Sequence, residues 1–199
     1  MTSAITFYQS PVEIKHVRIG HNRRSNDAIS FIRSDFSIEH SVFEDSERDA
    51  LNADFCKGRI ADSAFANCGG RGGNGDCLDI AGTALELENV DINKASGKGL
   101  SVGAGSSMTG KNIKIMGTHI GIAGKDASEI HFENVQLEDN EVGIAAYEKS
   151  PEFAPSKITI NRLQSKTGGH PYFVEEGSEL TIDGKIVPTD LKEFPKIFQ

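Results

Sequence analysis

Three aspartates, Asp27, Asp49 and Asp76, and then Lys98 recur along the chain at intervals of 22, 27 and 22 residues. Each stands two residues before a large aliphatic side chain: Ile29, Leu51, Leu78 and Leu100. If that interval is one turn of a structural repeat, the four stack as a ladder of acids closed by a base. Strands of adjacent turns lie about 4.8 Å apart, so each like-charge pair costs on the order of 1 kcal/mol in water and more where solvent is excluded. A raised pKa on the middle acid, a bound cation, or ion pairing with Lys98 and Arg48 would offset that cost.

A second line, Ser30, Asn52, Asp79, Ser101, Ala123 and Ala145, lies one residue after the aliphatic positions and should point outward by strand alternation. Carboxylates on both sides of one face suit two chemistries. One is calcium binding through several oxygens in flexible geometry, with Asp27, Asp49 and Asp76 as ligands. The other is glycoside chemistry, which needs an acid and a base, with Asp49, Asp76 and Asp79 as the candidate catalytic residues. Neither reading requires a further cofactor. Asn52, Arg71, Lys98, Ser101 and Lys125 are the candidate substrate contacts. Arg71 sits in the Gly-rich segment 69–76, whose glycines let the backbone approach a ligand closely, and its guanidinium could reach a sugar carboxylate. Lys125-Asp126 and the loop 147–153 form a further groove edge, in which Tyr147 and Phe153 read more often as packing residues than as sugar platforms. The structural alternative is a solvated corner where the aspartates accept turn hydrogen bonds and Lys98 and Arg48 balance them.

The elements that would bring these residues together follow from self-similarity. Segments beginning at Ile38, Leu87, Gly110 and Phe132 superimpose without gaps on the pattern apolar-x-Asn-apolar-x-apolar, and those at Ile14 and Ile60 fit it. The aliphatic column continues through Ile122 and Ile144 to Phe173, mostly at intervals of 22 residues. Alternating apolar residues over four to six positions, interrupted by Gly, Asn, Asp or Ser, read as short strands and tight turns. A leucine-rich repeat has a similar period, but its Leu-x-x-Leu-x-Leu signature does not recur. The expected fold is all-β: a parallel β-helix of seven or eight coils of about 22 residues. His16, His40, Asp62, Asn89, Asn112 and Asn134 fall at one sharp bend, where Asn and Asp tolerate the left-handed backbone and their side chains can bond along the stack. That role is structural, with a metal pair as the alternative for His16 and His40.

The 199 residues are expected to form a single domain, with coils over about 5–187 and a cap over 188–199. The cap segment should be a short helix or loop folding over the last coil. Residues 5–11 are too few to cap the first coil, which suggests upstream coils, a partner or another domain at that end. A net charge of −8 and no basic cluster larger than Arg23-Arg24 argue against nucleic acid. No apolar run approaches the roughly 20 residues that span a bilayer. The chain is expected to be soluble as written, and extracellular or in the cell envelope if it is cut from a longer secreted chain. A Cys68–Cys77 disulfide could close the Gly-rich loop, or all three cysteines could be buried thiols; Cys56 reads as a core thiol.

The segments 26–29, 75–80, 98–103 and 119–128 resemble bacterial right-handed parallel β-helix repeat domains of the pectate-lyase-like superfamily, over roughly residues 12–187. The resemblance implies the fold, an architecture that carries polysaccharide lyases, hydrolases, epimerases, adhesins and plain spacers, and no active site transfers: the chain lacks Trp, an Arg-x-Pro-x-x-Arg segment, an Asp-Pro-His-Glu segment and a calcium-binding nonapeptide array. The leading expectation is a carbohydrate-associated β-helix that binds a polysaccharide along its exposed strand face, with cleavage or modification of that polymer as its catalytic version. A non-catalytic structural or adhesive module of a larger cell-surface protein is the alternative.

Overall fold

The structure, a computed structural model, describes residues 3–70, 74–166, 168–192 and 194. Its strands wind into a β-solenoid of about 8 turns, and among the described residues there is no helix. Each coil has three faces. In the fifth coil these are residues 98–103, 107–111 and 113–118, with corners between them. The first face, which carries the candidate site, stacks Ile5–Tyr8, Ile29–Ile32, Leu51–Asp54, Leu78–Ala81, 98–103, 120–125, Val142–Tyr147 and His170–Val174. All neighbouring coils pair in parallel, and the one antiparallel ladder described is the closing hairpin of Glu179–Ile182 with Lys185–Ile186.

The register matches the sequence columns almost throughout. Ile29, Leu51, Leu78, Leu100, Ile122 and Ile144 are successive partners inside the first face. Ile14, Ile38, Ile60, Leu87, Gly110 and Phe132 are successive partners inside the second. One correction applies: the partner of Ile144 is Tyr172, not Phe173. The insertion 148–156 lengthens that interval, and spacing alone does not say how the extra residues divide, so the column slipped by one and Phe173 points out.

The corner column behaves as the residue types require. His16, His40, Asp62, Asn89, Asn112 and Asn134 all have positive φ, from 46° to 59°. Asn134 Nδ2 donates to Asn112 Oδ1 at 2.6 Å, Asn112 to Asn89 at 2.8 Å, and Asn89 to Asp62 at 2.8 Å. His16 and His40 continue the stack with ring centroids 5.1 Å apart.

A second polar ladder, not read from the sequence, runs inside another corner. Ser10 N donates to Ser34 Oγ, Ser34 N to Cys56 Sγ, Cys56 N to Thr83 Oγ1 and Thr83 N to Ser106 Oγ, so each side chain caps an amide of the coil before it. Cys56 is buried as expected, but it stands in for a hydroxyl, its thiol donating to Asp54 O at 3.1 Å. Cys68 and Cys77 form a disulfide with Cα atoms 5.3 Å apart, closing the Gly-rich insertion next to Asp76.

The ends differ from each other. In the first coil Phe7, Val12, Ile14 and Ile19 are only half-buried against the core, and Ile5 and Tyr8 are exposed. At the other end the described residues of the C-terminal segment, 188–192 and 194, form no helix and follow the loop alternative. It returns along the outside of the first face, Leu191 bridging to Glu175 and Phe194 packing fully buried on Tyr147.

Because Cys56 occupies a hydroxyl position, Cys56→Ser should leave stability within about 1 kcal/mol of wild type, whereas Cys56→Ala, which strands the Ser34 amide, should cost about 1–3 kcal/mol. Urea unfolding of the two variants checks the difference.

Candidate functional site

A local irregularity gives the first face its chemistry. Between each outward residue at the start of the strand and the next outward residue lie two positions instead of one: Gly99 and Leu100 between Lys98 and Ser101, Gly121 and Ile122 between Ile120 and Ala123. The first of the two must be small. A Cβ on Gly99 would lie 2.7 Å from Gly121 O, and one on Gly121 2.6 Å from Gly143 O; the same row holds Ala28, Ala50 and Cys77. Backbone of the next coil fills the place where a side chain would go.

The outer surface of this face is therefore a grid of three rows. The first row is Asp27, Asp49, Asp76, Lys98, Ile120, Val142 and His170. The second is Ser30, Asn52, Asp79, Ser101, Ala123, Ala145 and Phe173. The third is Ile32, Asp54, Ala81, Gly103, Lys125, Tyr147 and Glu175. Both predicted lines of site residues thus share one surface. The grid divides in two. Coils two to five are polar, whereas Ile120, Ala123, Val142, Ala145, Tyr147 and Phe173 form an apolar cluster separate from the interior core, covered by Leu191 and Phe194.

The acid row is built around backbone donors. Asp76 N donates to Asp49 Oδ1 at 2.8 Å, and Lys98 N to Asp76 Oδ1 at 2.6 Å. Asp27 accepts from Ser3 Oγ at 2.9 Å and Ser30 Oγ at 3.0 Å. Turn hydrogen bonds of the kind the structural alternative names are therefore present, but the corner is not a solvated one. Asp27 and Asp76 are each 7% exposed and Lys98 is 5% exposed. Lys98 Nζ lies 3.8 Å from Asp76 Oδ1, and Lys125 Nζ lies 3.7 Å from Asp79 Oδ1 while donating to Ser101 Oγ at 2.7 Å. Lys125 is thus not a distant edge but the second cation of the site. Arg48, expected to balance the acids, is exposed and makes no ion pair with them among the described residues; its carbonyl instead accepts from Ser46 and Gly69. Arg71 lies outside the described residues.

Among the described residues, the ion pairs found for the five aspartates of the polar half, counting Asp54 in the third row, are those of Asp76 with Lys98 and Asp79 with Lys125. Burial, and then the neighbouring charge of Asp76, push the Asp49 carboxyl up to about 7. Burial pushes Asp54 up too. Burial also raises Asp76 against the attraction of Lys98, and lowers Lys98 against that of Asp76, so both move toward a neutral pair. A carboxyl poised near neutrality beside one that is differently neutralised is the arrangement acid and base chemistry uses.

For a metal, the grouping of three ligand atoms among the described residues is His21, Glu44 and Asp45, away from the grid. Arg18 holds Glu44 there at 2.6 Å and 2.7 Å, and Asn67 bonds Asp45 at 3.0 Å. In the acid row, one oxygen each of Asp49 and Asp76 already accepts a backbone hydrogen bond, leaving the others for a cation.

Because the folded chain binds the Asp49 proton more tightly than the unfolded chain, the ionised carboxylate weakens the fold as pH rises from about 4 to about 7, and the effect is absent below that window. Asparagine keeps the Oδ1 acceptor, so Asp49→Asn should match wild type at pH 4 and melt higher at pH 8. An identical offset at both pH values would contradict this origin of the shift.

The comparisons agree with the architecture. No curated protein and no solved structure matches the chain. A family model described as "Right handed beta helix region" matches residues 3–158 and 60–187. With its parallel coils and stacked corner ladders, the chain belongs to the right-handed β-helix family.

Proposed function

We propose that this β-helix is carbohydrate-associated and binds a polysaccharide along the polar half of the outer grid. The observation that carries the reading is the array of five aspartates and two lysines on five adjacent coils, with Asp27, Asp76 and Lys98 buried and the Asp49 carboxyl raised to about 7. A regular array of hydrogen-bonding groups along the solenoid axis is complementary to a repeating polymer of hydroxylated rings. Asn52, Ser101, Lys98 and Lys125 are the contacts on this reading. Asp49, Asp76 and Asp79 are the candidate acid and base if the chain also modifies its ligand. The excess of acids over bases gives the surface a negative field, which favours neutral or amino sugars over uronates. Calcium on Asp27, Asp49 and Asp76 would reverse that preference. The Cys68–Cys77 disulfide supports an oxidising, extracellular or envelope setting.

A second reading, a structural or adhesive module without catalysis, draws on the half-covered first coil, where Phe7, Val12, Ile14 and Ile19 offer an apolar end for another domain or a partner.

Titration with neutral, glucosamine and uronate oligosaccharides, with and without millimolar calcium, separates these readings. The proposal expects binding that falls about tenfold or more in Asp79→Asn and Lys125→Ala without loss of fold. No binding to any of the three classes sinks it. Binding without new reducing ends, unsaturated products or epimerised residues leaves a binding module and removes the enzyme.

A further inference from the structure

Among the described residues Tyr147 is the largest fully buried side chain, and its hydroxyl has no hydrogen-bond partner there. Native structures pair nearly all buried hydroxyls, because an unpaired one forfeits its hydration for nothing. Tyr147 also does not lie in the solenoid interior. It stands on the third row of the outer grid beside Lys125, within the apolar cluster of coils six to eight. Lys125 is its register partner in the preceding coil, with Nζ donating to Ser101 Oγ at 2.7 Å and lying 3.7 Å from Asp79 Oδ1, so the polar half of the grid begins one coil away.

What buries Tyr147 is the C-terminal segment. Phe194 stacks flat on its ring, with centroids 4.0 Å apart and planes within 9°. Among the described residues, main-chain bonds and two carboxylates help to hold the segment. Asp190 Oδ1 accepts from Val174 N at 2.7 Å, Glu175 Oε1 accepts from Phe194 N at 2.8 Å, and Glu176 N donates to Leu191 O at 2.9 Å. A planar ring against the face of a tyrosine, with a free hydroxyl, two lysines and a serine toward one end, is the environment that suits a sugar ring: an apolar face to stack on and polar groups at the edge.

We propose that Tyr147 belongs to a sugar-binding subsite that extends the polar half of the grid over coils five to seven, and that Phe194 of the C-terminal segment fills the place of the ligand's ring. The subsite rests on the polysaccharide reading above. In it the ring of a bound sugar stacks on Tyr147, and its hydroxyls meet Tyr147 Oη, Lys98, Lys125 and Ser101. Displacing the segment lengthens the binding surface without altering the open half.

The test uses a glucosamine hexasaccharide and the trisaccharide as probes. Phe194→Ala should bind the hexasaccharide about tenfold more tightly than wild type, with little change for the trisaccharide. Adding Tyr147→Phe should abolish that gain, while in the wild-type background it should raise Tm by roughly 2–4 °C, since an unpaired hydroxyl is removed from a buried place. Should Phe194→Ala not fold, Asp190→Ala loosens the same segment from Val174 and is expected to show the same gain. Trisaccharide binding without any hexasaccharide gain in the folded variant overturns the subsite alone. A gain that survives Tyr147→Phe, or a Tm that falls on that substitution, shows the hydroxyl to be held by the fold itself and also overturns it. Absence of hexasaccharide binding by every variant overturns the subsite, and the polysaccharide reading falls with it when the neutral and uronate oligosaccharides also fail to bind.

Discussion

The main-chain hydrogen bonds between parallel coils are the constraint from which the rest of this molecule follows. Each coil bonds the next in fixed register, so a residue type at one position meets the equivalent position directly above and below. Interior rows become stacks of Ile, Leu, Val and Phe, with Phe43 on Phe65 at 4.9 Å. Corner rows become ladders of amides or hydroxyls. The small-residue row of Ala28, Ala50, Cys77, Gly99 and Gly121 follows from the same closeness, because no larger side chain clears the backbone of the following coil.

That constraint explains why an acid row is tolerated. Stacking aspartates at strand spacing is unfavourable, but the ladder also aims one amide of each following coil at the carboxylate before it, at Asp76 N and Lys98 N. Charge-assisted bonds of this kind offset part of the repulsion. Lys98 and Lys125 neutralise more, and burial, followed by the charge of Asp76, raises the Asp49 carboxyl. The covered half of the grid shows the opposite solution, where apolar outward residues are shielded by Leu191 and Phe194.

Where inference from the sequence went astray, the reason was distance that spacing does not encode. Phe173 was placed one residue off because the insertion 148–156 could be divided in more than one way. Adjacency to Asp49 in sequence suggests that Arg48 balances the acids, yet its side chain is exposed and makes no ion pair with them among the described residues. Lys125 was assigned to an edge, although its long side chain spans from the third row to Asp79 and Ser101 in the second. The hydroxyl ladder through Ser34, Cys56, Thr83 and Ser106 repeats at intervals of 22, 27 and 23 residues and was legible in principle. It was hidden by the single cysteine among the hydroxyls.

By itself the sequence determined the coil repeat, the left-handed corner and the alignment of Asp27, Asp49, Asp76 and Lys98, because a ladder of period 22 carries register directly into space. It also determined that Asp79 and Ser101 share the face with that row, since strand alternation is local. Only the tertiary structure decided how deeply those charges are withdrawn from water and which lysines answer them. It alone brought the C-terminal segment back along the same face, to lie over Tyr147. Burial, long side-chain reach and the return of a chain end depend on contacts between residues far apart in sequence, and no periodicity records them.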